Sequence, residues 1–216
     1  SVRLCTGRMP TGRGSSRRRF GACVAFGLLR RDGERVFNSL VLLDREGRHV
    51  WTYDKFTPVI SETMEIGVTP GRKPQSYQCD LGRIGAAICF DINFLDLAQI
   101  WAEQGIELLL FSSMFPGGRF LDMWAVRYGF AVAGATYHDD NRIIDCDGAT
   151  VARTSVVAPY ATGVLNLNRR VLHPDGNRWK IEGIRTRYGG DVLVEDQRGE
   201  GSCILTSQKP GLEVHD

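Results

Sequence analysis

Three apolar runs of strand length recur between residues 82 and 137, and two helical patterns separate them. "GRIGAAICF" (82–90), "IELLLFSS" (106–113) and "AVAGATY" (131–137) are short, nearly continuous apolar segments. Such runs suit strands buried on both faces. Between the first two, "FLDLAQIWAEQG" places Leu97, Ile100, Trp101 and Gln104 at helical spacing and stops at Gly105. Between the last two, "GRFLDMWAVRYGF" reads as a second short helix. Strand, helix, strand, helix, strand predicts βαβ units and a parallel sheet covered by helices.

An antiparallel meander precedes this unit. Residues 22–29 and "VFNSLVLL" (36–43) flank a turn containing Asp32-Gly33. "DREG" (44–47) turns the chain into "RHVWTY" (48–53), which delivers Lys55 at its end. Residues 56–78 hold Pro and Gly without a clear period and read as one long loop; such loops are often functional. After the apolar runs, "RIIDCDGATVART" predicts a hairpin turning at Asp147-Gly148, and "TGVLNLN" one more strand. The expected organisation is an Arg-rich tail over 1–21, a core domain over 22–170 and a polar extension over 171–216. The first 31 residues carry eight Arg and no acid. The run "ACVAFGLL" has the length of a signal-peptide core, but Arg30-Arg31 follow with no small-residue cleavage site, so a strand is the preferred reading.

Composition narrows the function. With a net charge of +2 over 216 residues, the chain lacks the charge of a nucleic-acid binder. No apolar run approaches the roughly 18 residues that span a bilayer. Six cysteines at wide spacings, without a CxxC pair, suit reduced thiols in a cytoplasmic protein better than a disulfide framework. Four scattered His form none of the HxH or HExxH spacings of a metal site, and "FPGGRF" lacks the Lys-Ser/Thr of a phosphate loop. No cofactor is expected.

Cys89 stands apart from the other cysteines because it ends a buried strand. In open α/β sheets, ligand-contacting groups lie at the carboxyl ends of strands. A side chain in a sharp strand-to-helix turn is exposed, and N–H groups just after it are aimed at a developing oxyanion. Free Cys is also among the most buried residue types, so the position alone does not decide between nucleophile and packing.

"YDKFTP", "GVTPG" and "GRIGAAICFDINF" together resemble the nitrilase, or carbon–nitrogen hydrolase, superfamily. "GIELLLFSS", Trp124, Arg127 and "RIIDCDGATVA" extend the resemblance over roughly 22–170. It implies an αββα sandwich doubled across a homodimer or higher oligomer, and a Glu–Lys–Cys triad acting on a small-molecule amide or nitrile. By residue-wise match Cys89 is the nucleophile and Lys55 the cation that stabilises the tetrahedral intermediate. A second Glu orients the Lys in many members; Glu65 is preferred for this role and Glu62 is the other candidate. The Phe90 amide is the implied oxyanion donor, and Ser113 and Met114 are implied to line the substrate pocket.

One part of the pattern is missing. The family's general-base Glu precedes the Lys, after an opening strand and helix. Only Glu34 and Glu46 precede Lys55, and both fall in predicted hairpin turns. The opening βα unit is therefore expected to be absent. Three explanations stand: a fragment of a longer enzyme, an inactive member that retains binding, or a carboxylate arriving across a dimer. A Cys–His hydrolase using His138 with Asp139 or Asp140 is a further alternative, as is an isochorismatase-like Asp–Lys–Cys site.

Overall fold

The computed structural model describes residues 2–7, 21–197, 199 and 201–214. The central layer is a six-stranded sheet. Its strands are β5 (Tyr77–Cys79), β6 (Gly82–Ile88), β7 (Leu108–Ser113), β8 (Ala131–Thr136), β9 (Arg142–Ile144) and β10 (Thr150–Arg153), adjacent in sequence order. β6, β7 and β8 are parallel; β5 and β9 flank them antiparallel, and β10 pairs antiparallel with β9 at the far edge. The helices α2 (Leu95–Glu103) and α3 (Arg119–Tyr128) are the crossovers expected from the periodicity.

The second layer is the predicted meander of β2 (Val24–Asp32), β3 (Arg35–Leu43) and β4 (His49–Asp54). Its register aligns Ala25 with Leu42, Leu42 with Trp51 and Leu40 with Tyr53, and this face packs on the central sheet. Close approach of the layers explains the small residues. A Cβ at Gly27 would lie 3.1 Å from Ser112 Oγ, and one at Gly85 would lie 2.9 Å from the Trp101 ring. Trp101, fully buried on α2, donates its indole N–H to the Ala86 carbonyl at 2.9 Å. The "GAA" of β6 is thus the floor on which α2 rests.

Three expectations are corrected. The stretch 56–78 contains α1 (Ile60–Glu65) and β5, so it is not a structureless loop. Gln104 anchors its far end, accepting from the Ser76 N–H and donating to the Pro74 carbonyl. Val2–Gly7, assigned to the tail, forms β1 and pairs antiparallel with β11 (Tyr160–Leu165). Most of the tail's arginine cluster, at positions 8–20, lies outside the described residues. At the other end, β12 (Arg169–Leu172) runs across the predicted boundary at 170. It joins β14 (Ser202–Ser207) and β13 (Val192–Gln197) in a small sheet contacted by α4 (Arg178–Tyr188). Arg169 on β12 ties this unit to the core through Asp145 and pairs within it with Glu195 on β13.

Candidate active site

Parallel pairing brings the carboxyl ends of β6, β7 and β8 to one edge of the central sheet. Ile88 pairs with Ser112, so Ser113 lies one strand over at the level of Cys89. Cys89 opens a short 3₁₀ turn over Cys89–Asn93 and has φ +53°. An L-residue with positive φ is uncommon and costs roughly 1–2 kcal/mol, so such positions cluster where geometry has a purpose. Cys89 is partly exposed. Phe90, the next residue, and Met114, just after the end of β7, are exposed at 37% and 67%.

Lys55 lies at the end of β4 and is 1% exposed. Its Nζ donates to Glu62 Oε2 at 2.7 Å. Glu62 is the third residue of α1, and the same oxygen accepts the Val59 N–H at the helix start. A glutamate at this position commonly reaches back to the first free amide of a helix. Its other oxygen accepts from Asn38 Nδ2 at 2.6 Å. Burial alone would raise the Glu62 carboxyl, but the bonds from Lys55, Val59 and Asn38 and the Lys55 charge outweigh it and hold the group below the ordinary range. Glu65, the preferred orienting residue, is exposed at the last turn of α1. The correction has a simple cause: three residues further along, a side chain cannot fold back to the helix start.

Asp91 joins the two halves of the site. It is fully buried. Its Oδ2 accepts the Ile88 N–H at 2.9 Å and the Tyr53 hydroxyl at 2.7 Å, and its Oδ1 accepts the Thr57 N–H at 2.7 Å. The Tyr53 oxygen in turn accepts the Phe56 N–H at 3.2 Å. Burial raises the Asp91 carboxyl above its usual value; its three hydrogen bonds and the charge of Lys55 pull the other way without cancelling it. Tyr53 is pushed well up by burial and by Asp91. Neither residue was assigned a role from the sequence. The signal available was an acid two residues after the cysteine, in a turn where buried carboxylates need partners.

The remaining candidates occupy other places. His138 is exposed at the end of β8, with β7 standing between it and the cysteine strand, so roughly 10 Å of sheet width separates the two strands. Glu46 pairs with Arg48 at 3.0 Å in its turn, and Glu34 is exposed in the β2–β3 turn. Cys23, Cys79, Cys89, Cys146 and Cys203 are all unbridged. Burial lifts the thiols of Cys23, Cys79 and Cys203 and takes Cys146 to about 12, which disfavours thiolate at those four positions. Among the described residues no cluster of His, Cys, Asp and Glu is arranged to hold a metal ion, and no helix is long and apolar enough to cross a membrane.

Fold and site together define a mixed α/β sandwich with a cysteine elbow at the strand ends and a buried lysine–glutamate pair nearby. The carbon–nitrogen hydrolase family matches residues 14–156, more than half of the chain, and the protein belongs to that family. A chloroplastic omega-amidase of Arabidopsis thaliana is 33% identical over 96 residues, covering 39% of this chain and 25% of the relative. A prokaryotic protein called nitrilase 3 is 30% identical over 114 residues, covering 53% and 34%. The matched stretch thus spans about a quarter to a third of these relatives. Among solved structures, an amidase from Nesterenkonia sp. superposes with a TM-score of 0.61 at 19% identity, covering 68% of this chain and 62% of that one. The NitFhit protein of C. elegans gives 0.63 at 19% identity, covering 81% and 48%. At that identity the likeness establishes the fold.

Proposed function

We propose that this chain carries the cysteine centre of a hydrolase for small-molecule amides. Cys89 Sγ attacks the amide carbon, and the carbon–nitrogen bond breaks as ammonia or an amine leaves with a proton. Water then cleaves the thioester, releasing the acid and restoring the thiol. Lys55 stabilises the negative charge of the tetrahedral intermediate, a contribution of a few kcal/mol for one fixed donor. Glu62 orients Lys55, and the role first given to Glu65 passes to it. The Phe90 N–H completes the oxyanion site, and Ser113 and Met114 line the substrate pocket. The observation that carries the reading is Cys89, left-handed and partly exposed, linked through Asp91 to the strand end that presents buried Lys55. Relatives described as omega-amidases support an amide substrate, and others described as nitrilases keep nitriles within the same reading. Family resemblance supports a homodimer, and the widely spaced cysteines without a CxxC pair support a cytoplasmic setting; sedimentation and fractionation test the two.

A second reading, binding without turnover, is favoured by the placement of Glu34 and Glu46 at exposed turns, which leaves the general base unassigned. Acrylamide modification and ammonia release, read together, separate the two readings. One of the structurally similar Nesterenkonia amidase structures carries this adduct at its active-site cysteine. Mass mapping should show Cys89 modified fastest of the six cysteines. Ammonia release from short aliphatic amides should disappear in Cys89→Ala. Fast modification without ammonia release supports binding alone. Modification of Cys89 no faster than in the unfolded chain overturns its assignment as nucleophile.

A further inference from the structure

Asp91 and Tyr53 do more than fill the core. Two chain segments more than thirty residues apart meet at one carboxylate. Ile88, whose N–H is bound by Asp91, directly precedes Cys89. Thr57 and Tyr53, bound by the same carboxylate, lie two residues to either side of Lys55. Phe56, next to Lys55, is held by the Tyr53 oxygen. The backbone just before Cys89 and just after Lys55, and the side chain of Tyr53 two residues before Lys55, are therefore referred to a single buried group.

Stability alone gives weak reason for such a group. Replacing buried ionic contacts with well-packed apolar ones is often neutral or stabilising, so a buried carboxylate is better explained by the geometry it enforces. Three donors converging on two oxygens define a position more tightly than apolar packing does, because hydrogen bonds weaken steeply with angle. The turn they enforce is the one that holds Cys89 at positive φ.

We propose that Asp91 and Tyr53 form a positioning clasp that sets the Cys89 thiol against the Lys55 ammonium and maintains the left-handed cysteine elbow. The clasp rests on the reading of Cys89 as nucleophile. Neither residue touches substrate; both act through Cys89 and Lys55.

The test compares wild type with Tyr53→Phe and Asp91→Asn in the full chain. Second-order rates of acrylamide addition are measured at Cys89, with Cys79 as internal control, well below each protein's melting temperature. Tyr53→Phe removes one hydroxyl and keeps the buried ring, so it decides the matter if Asp91→Asn fails to fold. A misplacement of about 1 Å in a reacting group costs up to about 100-fold, so the Cys89 rate should fall about tenfold in Tyr53→Phe and further in Asp91→Asn, with Cys79 unchanged. Unchanged Cys89 rates in folded variants, or a parallel rise at Cys79 and Cys89 that reports general loosening, overturn the clasp. A wild-type Cys89 no faster than an unfolded thiol overturns the functional reading beneath it. A fast wild type with equally fast variants overturns the clasp alone.

Discussion

Lys55 and Glu62 lie seven residues apart and close a 2.7 Å ion pair, with the lysine side chain 1% and the glutamate 15% exposed. The pair pins α1 to the end of β4, since Glu62 also takes the Val59 N–H and the Asn38 amide. Removing one partner of a buried pair leaves an uncompensated charge and costs about 3–5 kcal/mol. Glu62→Gln should therefore destabilise the protein by about 3 kcal/mol, the lower end because Glu62 retains some exposure. Glu65→Gln should stay within about 0.5 kcal/mol, as surface changes do. Urea unfolding of both variants checks this, and a larger loss at Glu65 would sink the assignment.

Acid titration should separate the two buried carboxylates by sign. Glu62 is held below its ordinary 4.5 by Lys55, Val59 and Asn38 despite burial. Its contribution is present above 4.5 and lost as pH falls through the lower folded value. Asp91 is raised above its ordinary 3.8 by burial. Its contribution is complete below 3.8 and lost as pH rises through the higher folded value. Melting temperatures between about pH 3 and 7 should show Glu62→Gln with a flatter acid limb than wild type. Asp91→Asn should show a steeper rise in stability above about pH 4. Parallel curves for all three proteins would contradict both assignments.

The fold was legible where one physical rule governed a whole segment. β6, β7 and β8 announced themselves as apolar runs because both faces are covered, and α2 because Leu97, Ala98 and Trp101 share a buried face. The cysteine elbow and the Lys55 strand end were legible through the family resemblance. Helix α1 was not, because its six residues bury no side chain fully and carry no apolar period. Without that helix, Glu62 and Glu65 were distinguishable only by distance along the chain. The roles of Asp91 and Tyr53 were hidden for another reason. Asp91 meets the Tyr53 hydroxyl and the Thr57 amide across 38 and 34 residues, and pairings at that range leave no local pattern.

The elbow should oppose stability. An L-residue at positive φ carries about 1–2 kcal/mol of strain that glycine does not, partly offset by glycine's larger loss of chain entropy, about 0.5–1 kcal/mol. Cys89→Gly should then be about 0.5–1 kcal/mol more stable than Cys89→Ala, although both remove the thiol. For a chain of this size that is about 1–4 °C in melting temperature. Calorimetry of the two variants decides it. A Cys89→Ala protein that melts higher would mean that position 89 does not hold the left-handed conformation in solution.

Gly71, in the "TPG" step after α1, should be intolerant of any side chain. Its N–H donates to the Lys55 carbonyl at 2.8 Å. A Cβ there would stand 2.2 Å from the Asp54 carbonyl oxygen and 3.1 Å from that of Lys55. Both are backbone atoms of the strand end, so no side-chain rotation relieves the clash. Gly71→Ala must lift the loop or displace the Lys55 backbone, at about 1–3 kcal/mol for overpacking, toward the upper end. Lys55 should then lose its protection, and amine acylation followed by mass mapping should modify it several-fold faster than in wild type. Urea midpoints give the stability change on the same samples. A Gly71→Ala protein with wild-type stability and a still-protected Lys55 would show that the loop after α1 does not brace the lysine.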